Sequence, residues 1–71
     1  MAPRFLSIAD VAEQLSISAQ AVRSLIRTGE LPAIQVGARG LWRSEVAALE
    51  DYIDKQYAHT REAVSEGGLD L

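Results

Sequence analysis

Three observations predict a mainly α-helical fold with one small β-hairpin, its elements in the order α-α-β-β-α. Two short stretches of helical periodicity, ending near Leu15 and Arg27, lie about three residues apart. A pair of strand-like segments follows, joined by a turn with a glycine at each end. A longer apolar stripe at helical spacing then runs from Val46 towards Val64.

Met1 to Arg4 reads as a short arm and Phe5-Leu6 as an apolar entry into the first helix. Ser7, followed three residues later by Asp10, resembles a capping box with Asp in the place of Glu. Ile8, Val11, Ala12 and Leu15 then recur at helical spacing. After the brief break at Ser16-Ile17, Ser18 can accept a hydrogen bond from a free amide in the first turn of the second helix.

With Val22 as origin and about 100° per residue, Leu25 and Ile26 fall beside Val22, whereas Gln20, Arg23, Ser24 and Arg27 fall between about 100° and 200°. One stripe is apolar and the opposite one is rich in donors. Gly29 suits a left-handed stop, and Pro32 forbids continuation.

Ala33 to Val36 reads as a strand, Gly37 to Gly40 as a turn, and Leu41 to Arg43 as the return strand. An isolated hairpin is marginal, so this one must pack on the helices. Trp42 is expected to be buried against the first or third helix, as a core anchor in a small domain. The third helix is expected to start between Ser44 and Ala47 and to run to about Ser65, with Val46, Leu49, Tyr52, Ile53, Tyr57 and Val64 on its apolar side. Gly67-Gly68 ends it, and the last residues are expected to be frayed.

The composition bounds the possible functions. At 71 residues and 48% hydrophobic content there is room for one small core and one working surface. The chain has no cysteine, which excludes disulfides and thiolate metal sites. His59, the one histidine, has no partner at ligand spacing, so neither metal nor other cofactor is expected. Without a nucleophile constellation or a phosphate-cradling glycine motif, no enzyme activity is expected. No signal peptide or apolar span stands out, and a soluble cytoplasmic protein is the expectation.

The net charge of −3 averages two different regions. Residues 1–48 carry five arginines against Asp10, Glu13, Glu30 and Glu45, whereas from Leu49 onward Lys55 and Arg61 face six acids. The basic half holds the donor-rich second helix. Arginine can bridge the two major-groove acceptors of guanine, and glutamine can match adenine, so Gln20, Arg23, Ser24 and Arg27 form a candidate reading face. Arg39, flanked by glycines at the hairpin tip, suits the phosphate backbone or the minor groove. Arg43 either reaches a phosphate or pairs with Glu45 or another acid.

The stretch FLSIADVAEQLSISAQAVRSLIRTGELPAIQVGARGLWR, followed by LEDYI, resembles the MerR-like winged helix-turn-helix domains of the excisionase and BldC-like type. The resemblance covers about Phe5 to Ile53, with Ser44 and Val46 departing from its usual apolar and polar residues. It implies binding to double-stranded DNA, the second helix in the major groove and the hairpin acting as a wing on the backbone or adjacent minor groove. Ser18, Gln20, Arg23, Ser24 and Arg27 would be recognition-helix positions and Arg39 the wing contact.

The expected organisation is an arm (1–4), a winged helix-turn-helix domain (5–53), an acidic extension of the last helix (54–65) and a flexible tail (66–71). A transcription regulator is the expected role; the alternatives are an excisionase-like recombination directionality factor that bends DNA, and a protein-interaction module without DNA binding. A single module reads only a few base pairs, so several copies are expected on DNA, as a symmetric dimer or a head-to-tail row. The short chain leaves no expectation of a small-molecule effector, nor of a membrane partner.

Overall fold

The computed structural model describes residues 4–65. The elements are β1 (Phe5–Leu6), α1 (Ile8–Leu15), α2 (Ala19–Arg27), β2 (Ile34–Val36), β3 (Leu41–Glu45) and α3 (Val46–Ser65). The expected fold is present with one strand more: Phe5-Leu6, expected as a lead-in, pairs with β3. The physical reason is length. At five residues β3 outruns the three-residue β2, and its free end at Ser44 and Glu45 takes Leu6 and Phe5 as antiparallel partners. The sheet order is therefore β1-β3-β2.

Local chemistry fixes the helix ends. The Asp10 amide donates to the Ser7 hydroxyl and the Ser7 amide to the Asp10 carboxylate, both at 3.1 Å, which completes the capping box. The Asp10 carboxyl is held below its ordinary value, chiefly by the Ser7 amide, then by the Ser7 hydroxyl; desolvation opposes this and the charge of Arg43 adds to it. Helix α1 stops at Ser16, left-handed at φ 55°, and the Ile17 amide reaches back to the Ala12 carbonyl at 3.0 Å. The Ser18 hydroxyl accepts from the Ala21 amide at 3.1 Å to open α2. Gly29, at φ 82°, ends α2, and the chain doubles back so that the Leu31 amide meets the Leu25 carbonyl at 3.1 Å.

Val11, Val22, Leu31 and Leu49 form the buried core, one each from α1, α2, the segment after α2, and α3. Leu6, Ile8, Ala12, Leu15, Leu25, Ile26, Tyr52 and Ile53 pack around it. Ser44, only 2% exposed, is buried among them, and its hydroxyl donates to the Pro32 carbonyl at 3.0 Å. That bond satisfies the polar residue where the family resemblance more often has an apolar one.

The hairpin turn has Gly37 at φ 79° and Gly40 at φ 63°, conformations that disfavour other residues. In register, Ile34 faces Arg43, Gln35 faces Trp42 and Val36 faces Leu41. Strand alternation then puts Trp42 with Leu6 and Ser44 on the helix side of the sheet, and Arg43 with Phe5, Ile34 and Leu41 on the outer side. Phe5, Ile34, Val36 and Leu41 are exposed there.

Trp42 corrects the expectation of burial. It lies on the helix side, but it is two residues nearer the hairpin tip than Ser44, and it remains 38% exposed.

Helix α3 spans 20 residues, about 30 Å at 1.5 Å per residue. Its first half anchors through Leu49, Tyr52 and Ile53, whereas Tyr57 is 67% exposed and Val64 is exposed beyond it. Residues 54–65 carry Asp54 and Glu62 against Lys55 and Arg61, so the extension is neutral rather than acidic. The excess acid lies at Glu50 and Asp51 and, by sequence, at Glu66 and Asp70. Met1 to Pro3 and the expected tail, with Gly67-Gly68, lie outside the described residues; Arg4 of the arm pairs with Glu45 at 3.2 Å. Among the described residues no helix is long and apolar enough to cross a membrane.

Candidate nucleic-acid interface

Because Val22 anchors α2 in the core, helical geometry turns Gln20, Arg23, Ser24 and Arg27 outward, and all four are exposed. Arg23 lies at the edge of this stripe next to Ile26, the edge that meets the sheet. There Arg23, Ile26 and Arg27 line an open cleft of about 440 Å³ with Ile8 of α1 and Trp42 of β3. The expected reading face and the wing are thus adjacent, with a groove between them.

The charges on this face are uncommitted. Among the described residues the ion pairs are Arg4–Glu45 and Lys55–Asp51, and neither takes up Arg23, Arg27 or Arg39. A guanidinium without a carboxylate partner is free to bind an anion, and its charge is not spent within the protein. Arg27, in the last turn of α2, also suits the negative end of that helix.

The remaining expected residues fall in three places. Ser18 caps α2, so one lone pair of its hydroxyl is engaged by the Ala21 amide while its O–H stays available. Arg39 is exposed in the turn between Gly37 and Gly40. Arg43 is half-buried and turned away from the stripe: its Nη1 donates to the Trp42 carbonyl at 2.7 Å, and it lines a shallow pocket with Phe5, Ile34 and Glu45. Of the alternatives for Arg43, a phosphate or a pair with Glu45 or another acid, the Glu45 pair is not formed, since Glu45 holds Arg4, and the acid that feels its charge is Asp10.

Sequence reasoning missed Trp42 and Ile8 as cleft residues. Period-two alternation separates Trp42 from Arg43, so only one of the two can face α2. The burial of Ser44 next along the strand sets which face points inward, and the sequence carries no signal of that burial.

Residues 5–57 match the helix-turn-helix domain family, four residues beyond the expected domain end at Ile53. No significant match is found among curated proteins or among solved structures. With most of its length matched to that family, and with a capped second helix whose free arginines border a wing, the chain belongs to the helix-turn-helix domain family and is a DNA-binding protein of that kind.

Proposed function

We propose that the protein is a sequence-specific binder of double-stranded DNA that acts as a small transcription regulator, without enzyme activity or cofactor. The observation that carries this is the exposed α2 stripe of Gln20, Arg23, Ser24 and Arg27, whose two arginines have no carboxylate partner among the described residues. In this reading α2 enters the major groove, where Arg23 and Gln20 present the paired groups that distinguish bases. Arg27 meets the backbone, and Arg39 carries the wing to the backbone or adjacent minor groove. The likeness to MerR-like, excisionase and BldC-like domains supports the same arrangement, and the protein then works in the cytoplasm, at the nucleoid.

A single module of this type buries about 600–1,000 Å² on DNA and reads few base pairs, so useful specificity comes from two or more copies. Purified protein is tested against a random duplex pool at low and moderate salt, and the retained DNA is sequenced. An enriched motif is expected, and inverted or direct repeats within it distinguish a symmetric dimer from a head-to-tail row. Retention without any motif would refute sequence reading and favour a DNA-bending recombination factor. No retention at either salt would refute DNA binding.

A further inference from the structure

We propose that the cleft between α2 and β3 seats the sugar–phosphate backbone of one DNA strand, and that Trp42 is a contact residue there, donating its indole N–H to a phosphate. The inference deepens the reading of α2 and the wing as a DNA interface and rests on it.

The first observation is an unusual tryptophan. Trp42 is the largest side chain on the helix side of the sheet, yet it stays 38% exposed while the residues of the core are nearly inaccessible. Among the described residues its indole N–H has no acceptor: in the hydrogen bond that involves Trp42 outside the sheet, its carbonyl accepts from the Arg43 guanidinium. A half-exposed indole that keeps its donor free is suited to a surface that is apolar on one side and anionic on the other.

The second observation is the company it keeps. Ile8 and Ile26 provide apolar walls and Arg23 and Arg27 provide two uncommitted positive charges in the same cleft. The exposed Gln35 stands directly across the sheet from Trp42 and adds a second neutral donor at its margin. A nucleic-acid strand has the matching alternation, an apolar deoxyribose followed by a charged phosphate. The sugar can pack on the indole face and the isoleucines, while the phosphate meets the Arg27 guanidinium and the indole N–H, with Arg23 at the groove side of the cleft.

Duplex geometry supplies the remaining step. Adjacent major and minor grooves are separated by one backbone. A protein that places α2 in the first and a wing at the second has that backbone between them, and here the space between them is this cleft. Trp42 then fixes the spacing of helix and wing on the strand and reads no base.

The chain holds a single tryptophan, so its intrinsic emission reports this cleft alone. The test titrates the full-length protein with a dye-labelled mixed-sequence duplex, following labelled-DNA anisotropy and, with unlabelled duplex, tryptophan emission and acrylamide quenching. Expected are a blue shift and reduced quenching that saturate with the anisotropy curve. W42F keeps an aromatic ring and removes the donor; circular dichroism confirms that it folds. It is expected to weaken binding about tenfold or more, the scale of one hydrogen bond to a charged group. The slope of affinity against salt is expected to stay unchanged, since a neutral donor releases no counterion. W42F binding within about twofold of wild type, or wild type binding with unaltered emission and quenching, overturns the proposal and leaves DNA binding itself standing. Wild type that shows no binding to duplex overturns both readings.

Discussion

Arg27→Ala is expected to change the salt dependence of DNA binding by a calculable amount. Of the five arginines before residue 48, Arg4 is tied to Glu45 and Arg43 is turned to the outer face of the sheet, which leaves Arg23 in the groove and Arg27 and Arg39 on the backbone as the charges that displace counterions from the DNA. Three such charges give a slope of log affinity against log salt of about −2.7, and two give about −1.8. Between about 50 and 200 mM salt, wild type should therefore lose about 40-fold in affinity and the variant about 12-fold. Arg27 is exposed and contributes no core packing, so the fold should persist, with at most the loss of its favourable interaction with the end of α2, about 0.3–1 kcal/mol. Anisotropy titrations of one duplex at four or more salt concentrations measure both slopes. Parallel lines for wild type and variant would refute the assignment of Arg27 to the backbone and, with it, the count of charges on this face.

Three further predictions concern the scaffold. Ser44→Ala removes the donor to the Pro32 carbonyl from a buried site and is expected to cost about 1 kcal/mol, a fall in Tm of about 4–8 °C; an unchanged Tm in thermal denaturation would refute the structural weight given to that bond. Asp10 has a lowered pKa in the folded state, so its contribution is fully present above the unfolded carboxylate range and is lost as pH falls through the folded value. Tm measured against pH should then show a gap between wild type and Asp10→Asn at neutral pH that closes in acid, and a gap that widens in acid would contradict the capping box. Ser16→Gly relieves a left-handed serine at the cost of extra backbone entropy in the unfolded chain, for an expected net gain of about 0.5 kcal/mol; a loss of stability would show that Ser16 is not strained.

What was legible in the sequence was what depends on near neighbours. Ser7 and Asp10 cap each other across three residues, Ser18 caps α2, and Gly29, Gly37 and Gly40 take positive φ where turns were expected. The exposed stripe of α2 was equally legible, because once Val22 is in the core helical periodicity alone settles where Gln20, Arg23, Ser24 and Arg27 point. What escaped depends on partners far along the chain. Phe5 becomes a strand residue only because Glu45 lies beside it, and a two-residue segment carries no periodicity of its own. Leu31 sits in a stretch that reads as a helix stop, yet the reversal at Gly29 carries it into the centre of the core. Trp42 and Arg43 were legible as alternating residues, but which face met the helices was decided by the buried bond of Ser44.

The pairing of β1 with the far end of β3 also sets an order of events during synthesis. Phe5 and Leu6 leave the ribosome some forty residues ahead of their partners Glu45 and Ser44. Helices α1 and α2 can gain helical structure early from their own caps, but the sheet that holds the wing beside α2 cannot close until Glu45 has emerged. A nascent chain stalled before that point would hold the reading helix without the wing, and with Leu49 also missing it would lack one wall of its core. Competence to grip DNA should therefore appear late and in a single step, as the start of α3 clears the exit tunnel.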